Sequence, residues 1–321
     1  LKALITGGGG FVGKYLINEL KANGYDVYAT HLENEKTGND CHKYVLDVTD
    51  GERVAELFSE IQPDVIYHLS AQSSVALSWK KPQLTAEVNV IGALNVLEAL
   101  KNLSKSDTRL LLVGSGEEYG ILRENACPIA EGEVLNPANV YAVTKACQGM
   151  LGKVYARAYG MNIISVRAFN HTGAGQSEVF VVSDFCRQIA EIEAGIRPPE
   201  IVTGNLSAKR DFTDVRDIVR AYRLLGEKGK SGKTYNVGRG SAVEIEEILR
   251  TAIRLSKVSG IVSRTDPQRM RAVDIPVIEP DVSEILRDTG WKAEIPLEKT
   301  ICDTLDYWRK HISINEHLGQ N

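Results

Sequence analysis

No run of apolar residues in this chain approaches the roughly 20 that a membrane-spanning helix needs. An excess of charge of one sign is lacking too, since 38 basic and 42 acidic residues leave a formal charge of −4. That balance excludes a general polyanion binder and leaves room only for local basic pockets. Cysteine is sparse: Cys41, Cys127, Cys147, Cys186 and Cys302 are odd in number and form no Cys-x-x-Cys pair, so a reduced, cytoplasmic setting is expected. Cys147, two residues after Lys145, reads as a small buried residue rather than a nucleophile. The six histidines form neither His-x-His nor His-x-x-x-His, and no metal site is expected. Internal repeats and low-complexity tracts are absent. The first residues read as a strand running into a glycine turn, without the pattern of a signal peptide.

What is present is ordinary globular material, 43% hydrophobic and 25% charged. A chain of 321 residues is long for one core, so a large domain with a smaller appended one is expected. Strand signals at 2–6, 26–30, 43–46, 65–69, 109–114 and 163–167 alternate with helical patterns at 12–23, 51–61, 83–102 and 140–159. This alternation predicts an α/β fold, a doubly wound parallel sheet of Rossmann type covered on both faces. After Asn170, Gly- and Pro-rich segments are interspersed with helices near 182–194, 215–225 and 243–255, and the apolar run 234–237 is expected to return to the main sheet. The expected division is 1–170 with 212–240 as the main domain, and 171–211 with 241–321 as a smaller α/β lobe.

Three features carry chemistry. Gly7, Gly10 and Gly13 fall at three-residue spacing between the first strand and the first helix. Glycine there lets the backbone approach a pyrophosphate whose charge is met by amides at the helix start, so Gly7, Gly10, Phe11, Val12 and Gly13 are candidate dinucleotide-binding residues. Tyr141 and Lys145 lie four apart, on one helical face. A cation beside a phenol favours the phenolate, and a phenol so tuned can act as acid or base at a carbinol oxygen. Finally, polar clusters (Ser70 to Ser74, Ser115 to Tyr119, and Asn170 with His171) follow the fourth, fifth and sixth strands, where ligands bind in open parallel sheets.

The segments Thr6-Gly-Gly-Gly-Gly-Phe-Val-Gly13, Ser115-Gly-Glu-Glu-Tyr-Gly120, Tyr141-Ala-Val-Thr-Lys145 and Arg210-Asp-Phe-Thr-Asp-Val-Arg-Asp217 span most of the chain. In them the chain resembles the extended short-chain dehydrogenase/reductase family. Within that family, Phe169-Asn-His171, Phe180-Val-Val182, Gly204-Asn-Leu206, Lys209-Arg-Asp-Phe212 and Arg271 with Asp274 look like the segments of enzymes acting on GDP-linked 6-deoxyhexoses. The resemblance implies that Ser115 bonds the sugar carbonyl, that Tyr141 supplies the proton, and that Lys145 holds the nicotinamide ribose and lowers the phenol's pKa. It implies cofactor contacts at Thr30, His31, Asp47, Val48, Leu69 and Ala71 as well. Substrate contacts are implied at Ser73, Glu117, Asn170, Phe180, Val181, Asn205 and Lys209, with Arg210 and Arg271 clamping phosphate oxygens near Asp274. The main domain would bind dinucleotide, the lobe would bind the nucleotide sugar, and the protein would form a homodimer without nucleic-acid or membrane partners.

The implied reaction is NAD(P)H-dependent reduction of the C4 keto group of a GDP-4-keto-6-deoxyhexose. Dehydration of GDP-mannose is the alternative, and a silent dinucleotide sensor is a third reading from another class. Dehydratases usually carry Thr-Ser-Glu or Thr-Asp-Glu where this chain reads Ser115-Gly116-Glu117, so the middle side chain is lost. The second strand ends in Thr30-His31-Leu32-Glu33, with neither an acid at the tip nor an arginine, and dual use of NADP and NAD is expected.

Overall fold

The computed structural model describes residues 1–35, 41–123, 126–269 and 275–318. In chain order the first half runs β1 (Lys2–Thr6), α1 (Phe11–Ala22), β2 (Asp26–His31), β3 (His42–Val45), α2 (Gly51–Ile61), β4 (Val65–His68), α3 (Val75–Lys80), α4 (Pro82–Ala86), α5 (Gly92–Lys101), β5 (Arg109–Ser115), α6 (Val140–Tyr159) and β6 (Ile163–Ala168). The second half runs β7 (Asn170–Thr172), α7 (Val181–Glu193), β8 (Glu200–Thr203), β9 (Lys209–Asp214), α8 (Val215–Lys228), β10 (Thr234–Val237), β11 (Ala242–Glu244), α9 (Ile245–Arg254), β12 (Val262–Thr265), β13 (Val277–Ile278), α10 (Ser283–Thr289) and α11 (Leu297–Leu318). Among the described residues, no helix is long and apolar enough to cross a membrane.

Two compact units divide the chain. The first comprises Leu1–Phe169, Arg216–Val237 and Pro280–Lys292. Its sheet has seven strands in the order β10-β6-β5-β4-β1-β2-β3, all parallel, so the fold is the doubly wound α/β arrangement. β4 and β6 are buried at every residue, as strands covered on both faces must be. Leu4, Ile66, Leu110 and Leu112 from the sheet pack with Val54, Leu57 and Phe58 of α2 and Val96 and Leu97 of α5. Local signals set the helix ends: the side chain of Asp50 accepts from Arg53 N to cap α2, and that of Asn139 accepts from Ala142 N to cap α6.

Two departures from the sequence expectations have identifiable causes. The helix expected over 83–102 is present as the contiguous run of α4, a π-helical turn Glu87–Ile91 and α5, so the departure is one of hydrogen-bond pattern within it. The cause is Asn89, fully buried in an apolar run, whose amide bonds Gln72 O at 3.1 Å and Thr144 Oγ1 at 3.0 Å while its Oδ1 accepts from Gln72 N at 2.8 Å. Such turns concentrate at functional sites. The segment Pro280–Lys292, grouped by the sequence pattern with the C-terminal lobe, packs in the first unit instead. There Asp288 accepts from Lys230 Nζ (2.8 Å), Lys233 Nζ (2.7 Å) and Tyr235 Oη (2.8 Å), and Trp291 Nε1 donates to Asp217 O at 2.9 Å.

The second unit comprises Asn170–Val215, Gly238–Glu279 and Ala293–Asn321. Its four-stranded sheet has β9 paired with β11, β13 and β7, and β8 pairs separately with β12. The core is built by Phe185 and Ile189 of α7, Ile248 and Leu249 of α9, and Leu305 and Trp308 of α11. Buried Asp211 fixes the turn into β11, accepting from the amides of Arg239 (2.8 Å), Gly240 (2.7 Å) and Ser241 (3.0 Å).

Candidate active site

The first unit gathers most of the expected site residues at the carboxyl end of its sheet. Gly7, with φ +77°, follows β1 and is tied to β2, its amide donating to Thr30 Oγ1 at 3.2 Å while Gly8 N donates to Thr30 O at 2.6 Å. Thr30 is fully buried and serves as the anchor of this turn. A side chain on Gly13 would put its Cβ 2.6 Å from Gly7 O, so glycine is required for α1 to start this close to β1. Gly10, the N-cap of α1, makes no side-chain cap bond, and the first turn carries no acid. The start of α1 therefore presents backbone amides in a tight glycine cradle, which fits a dinucleotide pyrophosphate.

Around this cradle, Leu69 N continues the β4 ladder to Thr6 O at 3.1 Å, and the chain passes through Ala71 and exposed Ser73 to Ser74, the cap of α3. Val48 is buried, with its carbonyl bonded by Asn95 Nδ2 at 2.9 Å, while Asp47 Oδ1 accepts from Thr49 N and Oγ1 at 3.0 and 2.8 Å. His31 turns its Nδ1 onto Leu32 O at 2.8 Å.

β5 ends at Ser115, whose hydroxyl accepts from Glu117 N at 3.2 Å and hydrogen-bonds the phenol of Tyr141. Tyr141 and Lys145 sit one turn apart on α6, both buried. The ammonium of Lys145 donates to Val113 O at 2.8 Å and Gln148 Oε1 at 3.0 Å. Burial brings the Lys145 pKa down to about 8, opposed by the charge of Glu118. The phenol differs from the sequence expectation: burial pushes its pKa up, against the lowering effect of the Ser115 bond, and Lys145 is not among the groups that shift it. Desolvation outweighs the pairing that the four-residue spacing suggests. His68, at the end of β4, is fully buried and held neutral, its pKa lowered to about 3 by burial and by Lys145.

Glu117 follows Ser115 and accepts from Asn139 Nδ2 at 3.1 Å. Between them, a Cβ on Gly116 would lie 3.0 to 3.1 Å from the ring of Phe169, so a side chain there would require the ring to give by a few tenths of an ångström. Beneath the loop runs a buried ion pair absent from the sequence expectations. Glu118 Oε1 accepts from Ser115 N at 2.9 Å and Oε2 from Arg167 Nε at 2.8 Å, and Arg167 Nη1 donates to Tyr119 Oη at 3.0 Å. The adjacency of two glutamates in Ser-Gly-Glu-Glu was the available signal. For Asn89 it was one amide within Val-Asn-Val-Ile.

The remaining candidates lie in the second unit. Asn170 opens β7, Phe180 is the N-cap of α7 and Val181 its first residue. Asn205 Oδ1 accepts from Ser207 N at 3.0 Å, and Lys209 pairs with Glu244 at 3.5 Å. Arg210 is buried, its Nη1 donating to Lys209 O at 2.8 Å and Ile275 O at 2.6 Å, so this nitrogen braces β9 against the chain before β13. Arg271 and Asp274 lie outside the described residues.

Residues 4–304 match the family model described as GDP-mannose 4,6 dehydratase. The chain belongs to this family. The match sits within the extended short-chain dehydrogenase/reductase fold, and members of this family are nicotinamide-dependent enzymes, so this chain is one too. Among curated relatives, the GDP-6-deoxy-D-mannose reductase of Pseudomonas aeruginosa is 31% identical, over 97% of this chain and 98% of its own length. The GDP-mannose 4,6-dehydratase of Yersinia enterocolitica is 28% identical, over 93% of this chain and 91% of its own. Among solved structures, RMD from Pseudomonas aeruginosa complexed with NADPH superposes with a TM-score of 0.86 at 30% identity, covering 97% of this chain and 99% of that one.

Proposed function

We propose that this chain reduces the C4 keto group of a GDP-linked 4-keto-6-deoxyhexose to the alcohol. The observation that carries reduction over dehydration is the packing of Phe169 against Gly116. A 4,6-dehydratase must also take a proton from C5 and assist loss of the C6 hydroxyl, which calls for an acid and a base beyond the Ser115, Tyr141 and Lys145 set. Glu117 supplies one carboxylate, but the neighbouring position has no side chain and an aromatic ring where one would go. The similarity to the Pseudomonas reductase supports the same choice.

When bound, the nicotinamide supplies the hydride. Ser115 orients the carbonyl oxygen by hydrogen bonding, and Tyr141, held neutral by burial, donates its phenolic proton to that oxygen as charge develops. Lys145, whose ammonium donates to Val113 O and Gln148 and does not shift the phenol, takes the other role the resemblance implies and holds the nicotinamide ribose. The glycine cradle at α1 holds the diphosphate of NADH or NADPH, with Asp47, Val48, Leu69 and Ala71 beside it. The second unit, through Asn170, Phe180, Asn205 and Lys209, takes the nucleotide sugar. Exposed Val143, Met150 and Val154 on α6, each more than half exposed, form the face through which two copies associate, testable by light scattering across concentration.

Purified protein given GDP-mannose alone, and separately the 4-keto-6-deoxy product with NADPH or NADH, tests the reaction. Cofactor oxidation with formation of a 6-deoxyhexose only in the second tube is the expected result. Conversion of GDP-mannose without net cofactor change would overturn it in favour of the dehydratase. Tight dinucleotide binding with no turnover in either tube would leave a sensor, which has no need of the proton-transfer set.

A further inference from the structure

The ammonium of Lys145 is held by a neighbour on its own helix that the sequence does not single out. β4 ends opposite Leu112, and the next carbonyl of β5, Val113 O, accepts from two side chains of α6, Lys145 Nζ at 2.8 Å and Gln148 Nε2 at 3.2 Å. A carbonyl can only accept, so the amide nitrogen of Gln148 must face it, and its amide oxygen is left for another donor. That donor is Lys145 Nζ, at 3.0 Å, which closes a triangle of Lys145, Gln148 and Val113 O. Gln148 is 1% exposed, so bulk water does not compete for these bonds. An ammonium has three N–H donors. Two are taken in the triangle, and the third has no protein partner among the described residues.

The charged groups near Lys145 do not substitute for this contact. Glu118, the charge that bears on it, is committed to Arg167 Nε at 2.8 Å and Ser115 N at 2.9 Å. His68 of β4 and Tyr141 of α6 are held neutral by burial. On the side of α3, α4 and the π-helical turn, Lys80, Lys81 and Glu87 are exposed, while Glu98 of α5 is held by Lys101 and Tyr155. We propose that Gln148 is a positioning residue of this enzyme: with Val113 O it aims the ammonium of Lys145 and leaves one N–H to hold the nicotinamide ribose. The inference deepens the proposed function and rests on its reading of Lys145. An acceptor at this place favours the charged amine over the neutral one, whereas a packing role alone would leave its titration unmoved. Gln148 also borders a cavity of about 230 Å³, lined by Gly149, Lys153 and Thr234 among others, so residues of similar size can replace it.

The test compares wild type with Gln148→Met and Gln148→Glu by two measurements. NMR of cofactor-free protein labelled at the lysine ε-carbon follows the titration of Lys145, its signal assigned by its absence from Lys145→Met. Fluorescence titration with NADPH between pH 6 and pH 9 gives dinucleotide affinity. Gln148→Met removes the acceptor, so the Lys145 midpoint should fall by about one pH unit from its value of about 8, and NADPH affinity should drop roughly tenfold at pH 8 and less at pH 6. Gln148→Glu keeps an acceptor and adds the opposite charge, so the midpoint should rise by at least about one pH unit, and affinity should decline less steeply toward pH 9 than in wild type. A midpoint that stays put in both variants, or moves the same way in both, overturns the inference. Midpoints that move in opposite directions with NADPH affinity unchanged remove Lys145 from the ribose-holding role, and the inference with it.

Discussion

The Glu118–Arg167 pair should behave asymmetrically when it is broken. Glu118 is 2% exposed and Arg167 5%, and the carboxylate is shared between the guanidinium and the amide of Ser115. Removing one partner of such a pair leaves an uncompensated buried charge, at a cost of about 3–5 kcal/mol. The two removals differ because arginine cannot shed its proton whereas a carboxylate can take one up. Glu118→Leu should therefore sit at the upper end of that range. Arg167→Met should cost less, since burial already raises the pKa of Glu118 and losing the guanidinium raises it further. The sign of the pH dependence follows. With a folded-state pKa above the unfolded value, Arg167→Met is most stable at acid pH, below that unfolded value, and loses stability as pH rises through the raised one. The double variant has no buried charge and should lie within about 1–2 kcal/mol of wild type, giving a coupling of at least about 2 kcal/mol. Urea unfolding of the four proteins at several pH values, followed by the fluorescence of buried Trp291, measures all these quantities. Single substitutions costing under about 1 kcal/mol, or additive effects, would refute the reasoning.

Tyr141→Phe should keep dinucleotide affinity and lose roughly 10²–10⁴ in turnover, because ring packing survives while the proton donor is gone. Near-normal turnover would remove Tyr141 from the proton-donor role. Lys145 is charged below its pKa of about 8 and neutral above it, so kcat/KM for reduction should decline as pH rises past 8 while the phenol remains protonated. A flat profile to pH 10 would contradict this. Gly116→Ala should destabilise the protein by about 1–3 kcal/mol, since its methyl presses on the ring of Phe169, and Phe169→Leu in the same chain should recover part of that loss. Differential scanning of the two variants decides it, and an unchanged melting temperature for Gly116→Ala counts against the packing.

The parallel sheet was readable because period and composition are set by burial, and burial of β4 and β6 on both faces forces near-continuous apolar runs. The return of β10 to the main sheet was readable for the same reason. The π-helical turn within the helix over 83–102 was not, because it centres on a single amide whose partners, Gln72 and Thr144, lie 17 and 55 residues away. The small strands of the second unit were missed too. β11 is three residues long and β13 two, too short to display a period.

Within the site, spacing brought Tyr141 and Lys145 to one helix face but did not reveal what surrounds them. The decisive neighbours enter through space left by glycines. Gly9 admits Glu35, and Gly116 admits Phe169. Gly114 admits the Glu118 carboxylate, whose Oε1 occupies the place of a Cβ there. In each case the missing side chain is local in sequence, while what fills it is set by how a loop or strand returns. Each of these three glycines marks a close approach, and only the folded structure tells that what approaches is an acid at two of them and an arene at the third. Glu118 makes the point sharply. Its carboxylate fills the space at Gly114, accepts from Ser115 N, and sets a negative charge that opposes the lowering of the Lys145 pKa.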